Sequence, residues 1–154
     1  MAILFFGGGP GGTIALPGYS VFILPWAAHK SNVGTVSRFQ NSGMLGGGQT
    51  AVTGSGASNS IGWDIYLEAG TYKFALLHGK EPDVGIYSPQ FSGVSQGLID
   101  GYAAAQALNT YSEITGIVVT AGLKTFTLGC PTKNASASDY SLRFHALAWI
   151  RTGS

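Results

Sequence analysis

The sequence predicts an all-β protein, an antiparallel β-sandwich of jelly-roll type with an extended N-terminal arm and at most one short helix. Three observations carry this expectation. Apolar and polar side chains alternate with period two through much of the chain. Glycine-containing turns separate short apolar runs at fairly regular intervals. No long helical periodicity intervenes that could supply the crossovers of a parallel sheet. At 154 residues the chain is long enough for one sizeable core, and it divides into an arm (1–18) and a single sandwich domain (19–154).

The elements follow in order. Tyr19 to Trp26 and Val33 to Asn41 read as two strands, and the Gly/Ser/Thr-rich stretch Ser42 to Asn59 reads as a loop with few packing residues. In Ile61-Gly62-Trp63-Asp64-Ile65-Tyr66-Leu67, the odd positions place four large apolar side chains on one face. Glu68-Ala69-Gly70 is a turn, and Thr71 to His78 then aligns Tyr72, Phe74 and Leu76; the pair reads as a β-hairpin. Asp83 to Phe91 is a further strand. Ala103 to Leu108 has the composition of a short helical turn. Ile114 to Thr120 and Gly122 to Leu128 form a second hairpin about Ala121-Gly122. Tyr140 to Arg151 is the closing strand and is apolar on both registers, Leu142, Phe144 and Ala146 against Leu147 and Trp149, which predicts a place between layers or at a subunit contact. An echo, A-G-x-x-x-F-x-L, relates Ala69–Leu76 to Ala121–Leu128.

Composition limits the function classes. Hydrophobic residues make up 45% and charged residues only 10%, so a core is expected while charge protects little of the surface, and part of that surface is expected to be covered by copies or partners. A net charge of +1, without a Lys/Arg cluster, argues against nucleic acid. The apolar opening Ala2 to Phe6 is too short for a membrane span and lacks the preceding basic residues of a signal peptide; no membrane partner is expected. The lone Cys130 excludes an internal disulfide framework and a cysteine cage for metal, and is expected to be a structural thiol.

No reaction chemistry emerges. Gly7 to Gly12, GGGPGG, matches G-x-G-x-x-G, yet Pro17-Gly18 breaks the helix that must follow, and the first acidic residue is Asp64. No cofactor is expected. His29, His78 and His145 lack metal-ligand spacing, no G-x-S-x-G elbow occurs, and nothing selects a carboxylate pair among the seven acidic residues, Glu81 and Asp83 merely flanking Pro82. The chain is therefore expected to be no enzyme, with no catalytic, cofactor-binding or metal residues. Aromatics make the better case for binding: Trp26, Tyr66, Tyr87, Tyr102 and Tyr111 are candidates for stacking, whereas Trp63 and Trp149 sit in register with core aliphatics. Asn134-Ala135-Ser136 matches the glycosylation triplet.

The stretch Trp63 to Thr152, with WDIYLEAGTYKFALLH, GIYSPQFSG, LIDGYAAA, ITGIVVTAGLKTFTL and PTKNASASDYSLRFHALAWIRT, resembles a domain that recurs in structural proteins of tailed bacteriophages. Its hairpin logic also looks like that of carbohydrate-binding jelly rolls. The resemblance implies a virion protein, either a head decoration or cement protein or part of a fibre or tail appendage, commonly a homotrimer. A short arm and one compact domain, with no long fibrous shaft, favour a head decoration protein. Made in the host cytoplasm and placed on the capsid surface, it would bind the major capsid protein. The resemblance does not reach the N-terminal half, and Ile3, Leu4, Phe5, Phe6 and Trp26 are candidate interface residues on their apolar character. The alternative is a receptor- or carbohydrate-binding module of a fibre or tail appendage.

Overall fold

The structure is a computed structural model and describes residues 20–24, 26–40, 42–45 and 47–153. Among the described residues, twelve strands lie in two antiparallel sheets. They are β1 (Ser20–Ile23), β2 (Ser31–Val33), β3 (Thr35–Gln40), β4 (Gly48–Thr53), β5 (Ser60–Leu67), β6 (Gly70–Lys80), β7 (Ile86–Phe91), β8 (Val94–Ser95), β9 (Ile99–Asp100), β10 (Ala107–Val119), β11 (Gly122–Thr132) and β12 (Leu142–Gly153). The first sheet runs β10-β6-β12-β4-β3, with β1 also paired to β12; the second runs β2-β5-β11-β7-β8, with β9 beside β7. The one helical element among the described residues is a single 3₁₀ turn, Gly56–Ser58. The expected sandwich is the observed architecture.

The period-two pattern fixes the inner faces. Ile61, Trp63, Ile65 and Leu67 of β5 are all buried, as are Tyr72, Phe74 and Leu76 of β6 and Phe126 and Leu128 of β11. Phe126 stands at the centre. Its ring stacks on Trp63 at 5.8 Å and 16°, meets Trp149 edge-on at 5.4 Å, and lies 5.8 Å from Phe74. Phe74 and Phe126 hold the same position in the two echoed segments, so the echo is one solution used twice, from opposite sheets, to meet in the middle.

Four expectations are corrected. Neither expected hairpin exists. β5 belongs to the second sheet and β6 to the first, while β10 belongs to the first and β11 to the second. The turns after Leu67 and Val119 are corners between layers, because each flanking strand has one large apolar face and the two faces must point at each other across the core rather than lie side by side. Gly122, at φ +129°, supplies backbone that a side-chain-bearing residue adopts only with strain. Second, Ser42 to Asn59 contains β4, seated between β12 and β3; its residues are small, but its position buries them. Third, Ala103 to Leu108 is not helical: β10 begins at Ala107, and a segment this short and exposed has no packing to offset the cost of helix nucleation.

Fourth, the two apolar registers of the closing strand are not two faces throughout. The pairing of β12 with β6 shifts between Phe144 and Ala146, so His145 is the extra residue of a β-bulge. Leu142 and Phe144 before the bulge, and Leu147 and Trp149 after it, therefore all enter the core. Ala146 is turned to the outer face.

Emptying the centre of this core should be costly. Phe126→Ala is expected to lower the unfolding free energy by about 3–5 kcal/mol, whereas Leu123→Ala, on the exposed side of the same strand, should change it by less than about 0.5 kcal/mol. Guanidinium denaturation of both variants checks this.

Candidate functional site

The outer face of the first sheet carries an apolar trough. Across four neighbouring strands the register reads Phe22 (β1), Ala148 (β12), Ala75 (β6), Glu113 (β10), and the next row reads Ala146, Leu77, Tyr111. Small side chains occupy the middle and aromatic ones the two edge strands. The cavity has a volume of about 170 Å³ and is lined by Phe22, Ala75, Leu77, Tyr111, Ala146, Leu147, Ala148 and Ile150. With strands about 4.8 Å apart, the aromatic rims stand roughly 14 Å from each other at the backbone. Phe22 and Tyr111 are 56% and 55% exposed, so each offers a ring face to whatever enters.

Polar chemistry sits at the Tyr111 rim. The Tyr111 hydroxyl donates to Glu113 Oε2 at 2.5 Å, and Lys73 Nζ lies 3.1 Å from the same oxygen. The carboxylate beside it holds the Tyr111 phenol above its ordinary range, while Tyr111 and Lys73 together hold Glu113 below the usual carboxylate range. Lys73 is raised, first by Glu113. At neutral pH the rim is thus an ammonium, a carboxylate and a neutral phenol, fixed on one another. Such a set can exchange hydrogen bonds with hydroxyl groups; it has no free base or nucleophile.

Beyond Leu77 and Ala146 polar groups gather at this end of the first sheet, Glu81 and His78 buried and Arg143 and Asp83 partly exposed. Arg143 reaches Glu81 through Nη1 (3.1 Å) and Asp83 through Nη2, so the two carboxylates flanking Pro82 are joined on one guanidinium rather than opposed across a cleft. Gln49 Nε2 approaches Glu81 Oε1 at 3.5 Å. The Tyr87 hydroxyl donates to the Arg143 carbonyl at 2.7 Å. His78 is fully buried; its Nδ1 donates to the Gly79 carbonyl at 3.2 Å, which leaves Nε2 to accept from the Ser112 hydroxyl at 3.0 Å. Burial lowers the His78 pKa to about 4 and depresses that of His145 as well.

The residues singled out by sequence are scattered. Ile3, Leu4, Phe5 and Phe6 lie outside the described residues. Trp26 is exposed away from the trough, its indole seated on the Gly48 backbone so closely that a Cβ at Gly48 would meet it at 2.5 Å. Tyr87 is core, Tyr102 half-buried, and Tyr66 lies on the outer face of the other sheet beside Leu123. Only Tyr111 of the aromatic candidates lines the trough. His29 sits between Asn32 and Arg38, 3.1 Å from each. Cys130 is buried, donates to the Thr132 carbonyl at 3.3 Å, and has its thiol pushed up to about 11 by burial, a structural thiol as expected. Sequence reasoning missed Phe22, Ala75, Leu77, Ala146, Ala148 and Ile150. One signal for them was present, since the second apolar face of the closing strand is the trough floor.

Among the described residues no cluster of His, Cys, Asp and Glu is placed to hold a metal ion, and no helix is long and apolar enough to cross a membrane.

No family model and no curated protein matches the sequence. Solved structures do match in fold. A Paenibacillus xanthan lyase matches at a TM-score of 0.70 and 20% identity, covering 95% of this chain and 14% of the lyase; the chain thus spans a small part of that enzyme. The CBM36-1 domain of a xylanase from the hindgut metagenome of Trinervitermes trinervoides matches at 0.62 and 15% identity, covering 88% of this chain and 99% of the domain. A family 6 carbohydrate-binding module from Clostridium cellulolyticum, solved with xylose, matches at 0.60 and 14% identity, covering 86% of this chain and 95% of the module. What these neighbours share with this chain is the jelly-roll β-sandwich fold, and the virion and trimer expectations gain no support from them.

Acid should weaken the fold through His78. Its folded pKa lies below the unfolded value of 6.5, so the unfolded chain binds the proton more readily. The penalty is absent above pH 6.5, grows as pH falls towards about 4, and levels off below, reaching on the order of 3 kcal/mol. Urea denaturation at pH 7.5, 5.5 and 4 measures it, and the loss should shrink in His78→Gln.

Proposed function

We propose that the chain is a carbohydrate-binding module without catalytic activity, and that the trough on the outer face of the first sheet is where sugar binds. The observation that carries this reading is the alanine floor between Phe22 and Tyr111. A pyranose ring has an apolar face of C–H groups and a rim of hydroxyls. The flat rings of Phe22 and Tyr111 can take the first at small entropic cost, and Glu113 and Lys73 can bond the second. Small floor residues leave depth for the ring, and a sandwich strand pairs its side chains rigidly enough to hold the rims apart before ligand arrives. The likeness in fold to carbohydrate-binding modules supports the same reading.

Calorimetric titration with xylose, xylotriose, cellotriose and galactose, together with affinity gels containing xylan, β-glucan or mannan, tests it. Saturable binding to at least one of these is expected. Tyr111→Ala should weaken it tenfold or more, equivalent to about 1.4 kcal/mol, with the melting temperature nearly unchanged because the ring is half exposed; Phe22→Ala should act in the same direction. Absence of binding throughout the panel, or binding indifferent to both substitutions, would remove the trough from the function.

A further inference from the structure

The trough lies beside the point where the described chain begins. Ser20 is opposite Ile150, and Ile150 opposite Lys73, one row along from Phe22, Ala148 and Ala75. Ser20 and Phe22 share a face of β1, so the chain joins the first sheet on the strand that forms one rim of the trough. Residues 1–19 precede this strand and lie outside the described residues. No Asp, Glu, Lys or Arg occurs before Lys30. Ala2, Ile3, Leu4, Phe5 and Phe6 form an unbroken apolar run, followed by GGGPGG.

The intervening sequence gives that run the reach to return. Thirteen residues, six of them glycine, stand between Phe6 and Ser20. A glycine-rich chain of that length has an end-to-end distance of about 20 Å. The middle of the trough is on the order of 10 Å from Ser20, two residues along the strand and one to two strand spacings across. Pro17-Gly18 has the residue order of a type II turn, proline before glycine at its two central positions. Over such a span a tethered segment acts at an effective concentration in the millimolar range, so a contact too weak to hold a separate molecule suffices. Ile3 to Phe6, extended, span about 13 Å, close to the separation of the two rims, and alternate side chains would face the floor.

The chemistry of run and trough agrees. The floor consists of the methyl groups of Ala75, Ala146 and Ala148, flanked by Leu77 and Ile150. At the rim the ion pair of Lys73 with Glu113 is completed by the Tyr111 hydroxyl, so an uncharged segment can enter without leaving a charge unpaired. Its arrival would take Phe22 and Tyr111, each more than half exposed, out of water. We propose that Ile3, Leu4, Phe5 and Phe6 of the same chain seat in the trough when no sugar is bound. Resting on the carbohydrate-binding reading above, arm and sugar then compete for one floor. The apparent affinity for sugar is that of the open trough multiplied by the fraction of molecules in which it is open.

Cross-linking tests the seat without any sugar. The full chain carrying Gly7→Cys and Ala148→Cys is oxidised mildly at low concentration; the native Cys130 is buried. The comparison is the same pair of cysteines with Ile3, Leu4, Phe5 and Phe6 all replaced by serine, which keeps the tether and removes the apolar run. An intramolecular disulfide forming at least tenfold faster with the apolar run is expected. Equal rates would overturn the proposal, and a disulfide found only between molecules would overturn it in favour of a second copy as the occupant. Competition is read by calorimetric titration of xylotriose and cellotriose into the unaltered chain and into the four-serine chain. The four-serine chain is expected to bind at least threefold more tightly; equal affinities would overturn the competition and leave the carbohydrate-binding reading standing. Failure of both chains to bind either sugar would count against that reading, while the cross-linking rates would still decide where the arm sits.

Discussion

The register shift at His145 governs the rest of the molecule. A regular strand through residues 142–150 would place Leu142, Phe144, Ala146 and Ala148 on one face and Leu147 and Trp149 on the other. With one extra residue, Leu142, Phe144, Leu147 and Trp149 all turn inward, and Ala146, Ala148 and Ile150 line the outer face. Trp149 then reaches Phe74, Phe91 and Phe126 within ring-contact distances of 4.4–5.4 Å. The same displacement leaves the outer face floored with methyl groups. One bulge thus builds both the aromatic centre and the hollow behind it, which is why bulges recur beside functional sites.

An outer face of this kind is expensive to leave in water. Burial of apolar area is worth about 25 cal/mol per Å², and Phe22, Leu77, Tyr111 and Ile150 forgo part of that gain in the described domain. Rigid side chains on paired strands lose little entropy on meeting a ligand, so the area left exposed becomes available to binding. The Tyr111–Glu113–Lys73 set keeps such a face from being uniformly sticky, since polar groups already satisfied by one another bring direction without an unpaired charge.

The likeness to carbohydrate-binding modules is one of fold, at identities of 20% and below for the neighbours named above. A jelly roll serves many functions, and its site is a matter of which side chains the sheets present. Here the presentation is specific: aromatic edges and an alanine floor. The charges beyond Leu77 and Ala146 have a structural part: Arg143 gathers Glu81 and Asp83 and thereby anchors the turn at Pro82.

By itself the sequence determined the class of fold, most strand positions and the inward residues of β5, β6 and β11, because alternation is a local property that each strand carries regardless of its partners. It also marked β12 as a strand with apolar residues on both sides, and Tyr111 as an aromatic able to stack. What the tertiary structure alone decided was pairing. Corners that read as hairpins send their strands to opposite sheets, β4 draws its burial from its neighbours and not from its own composition, and the helix expected at Ala103 has nothing to pack against. The trough belongs to this second group. Phe22, Ala75, Tyr111 and Ala148 are distant in sequence and meet only through cross-strand register, and a one-residue slip at His145, invisible to any periodicity that assumes an unbroken strand, sets which of them face the solvent together.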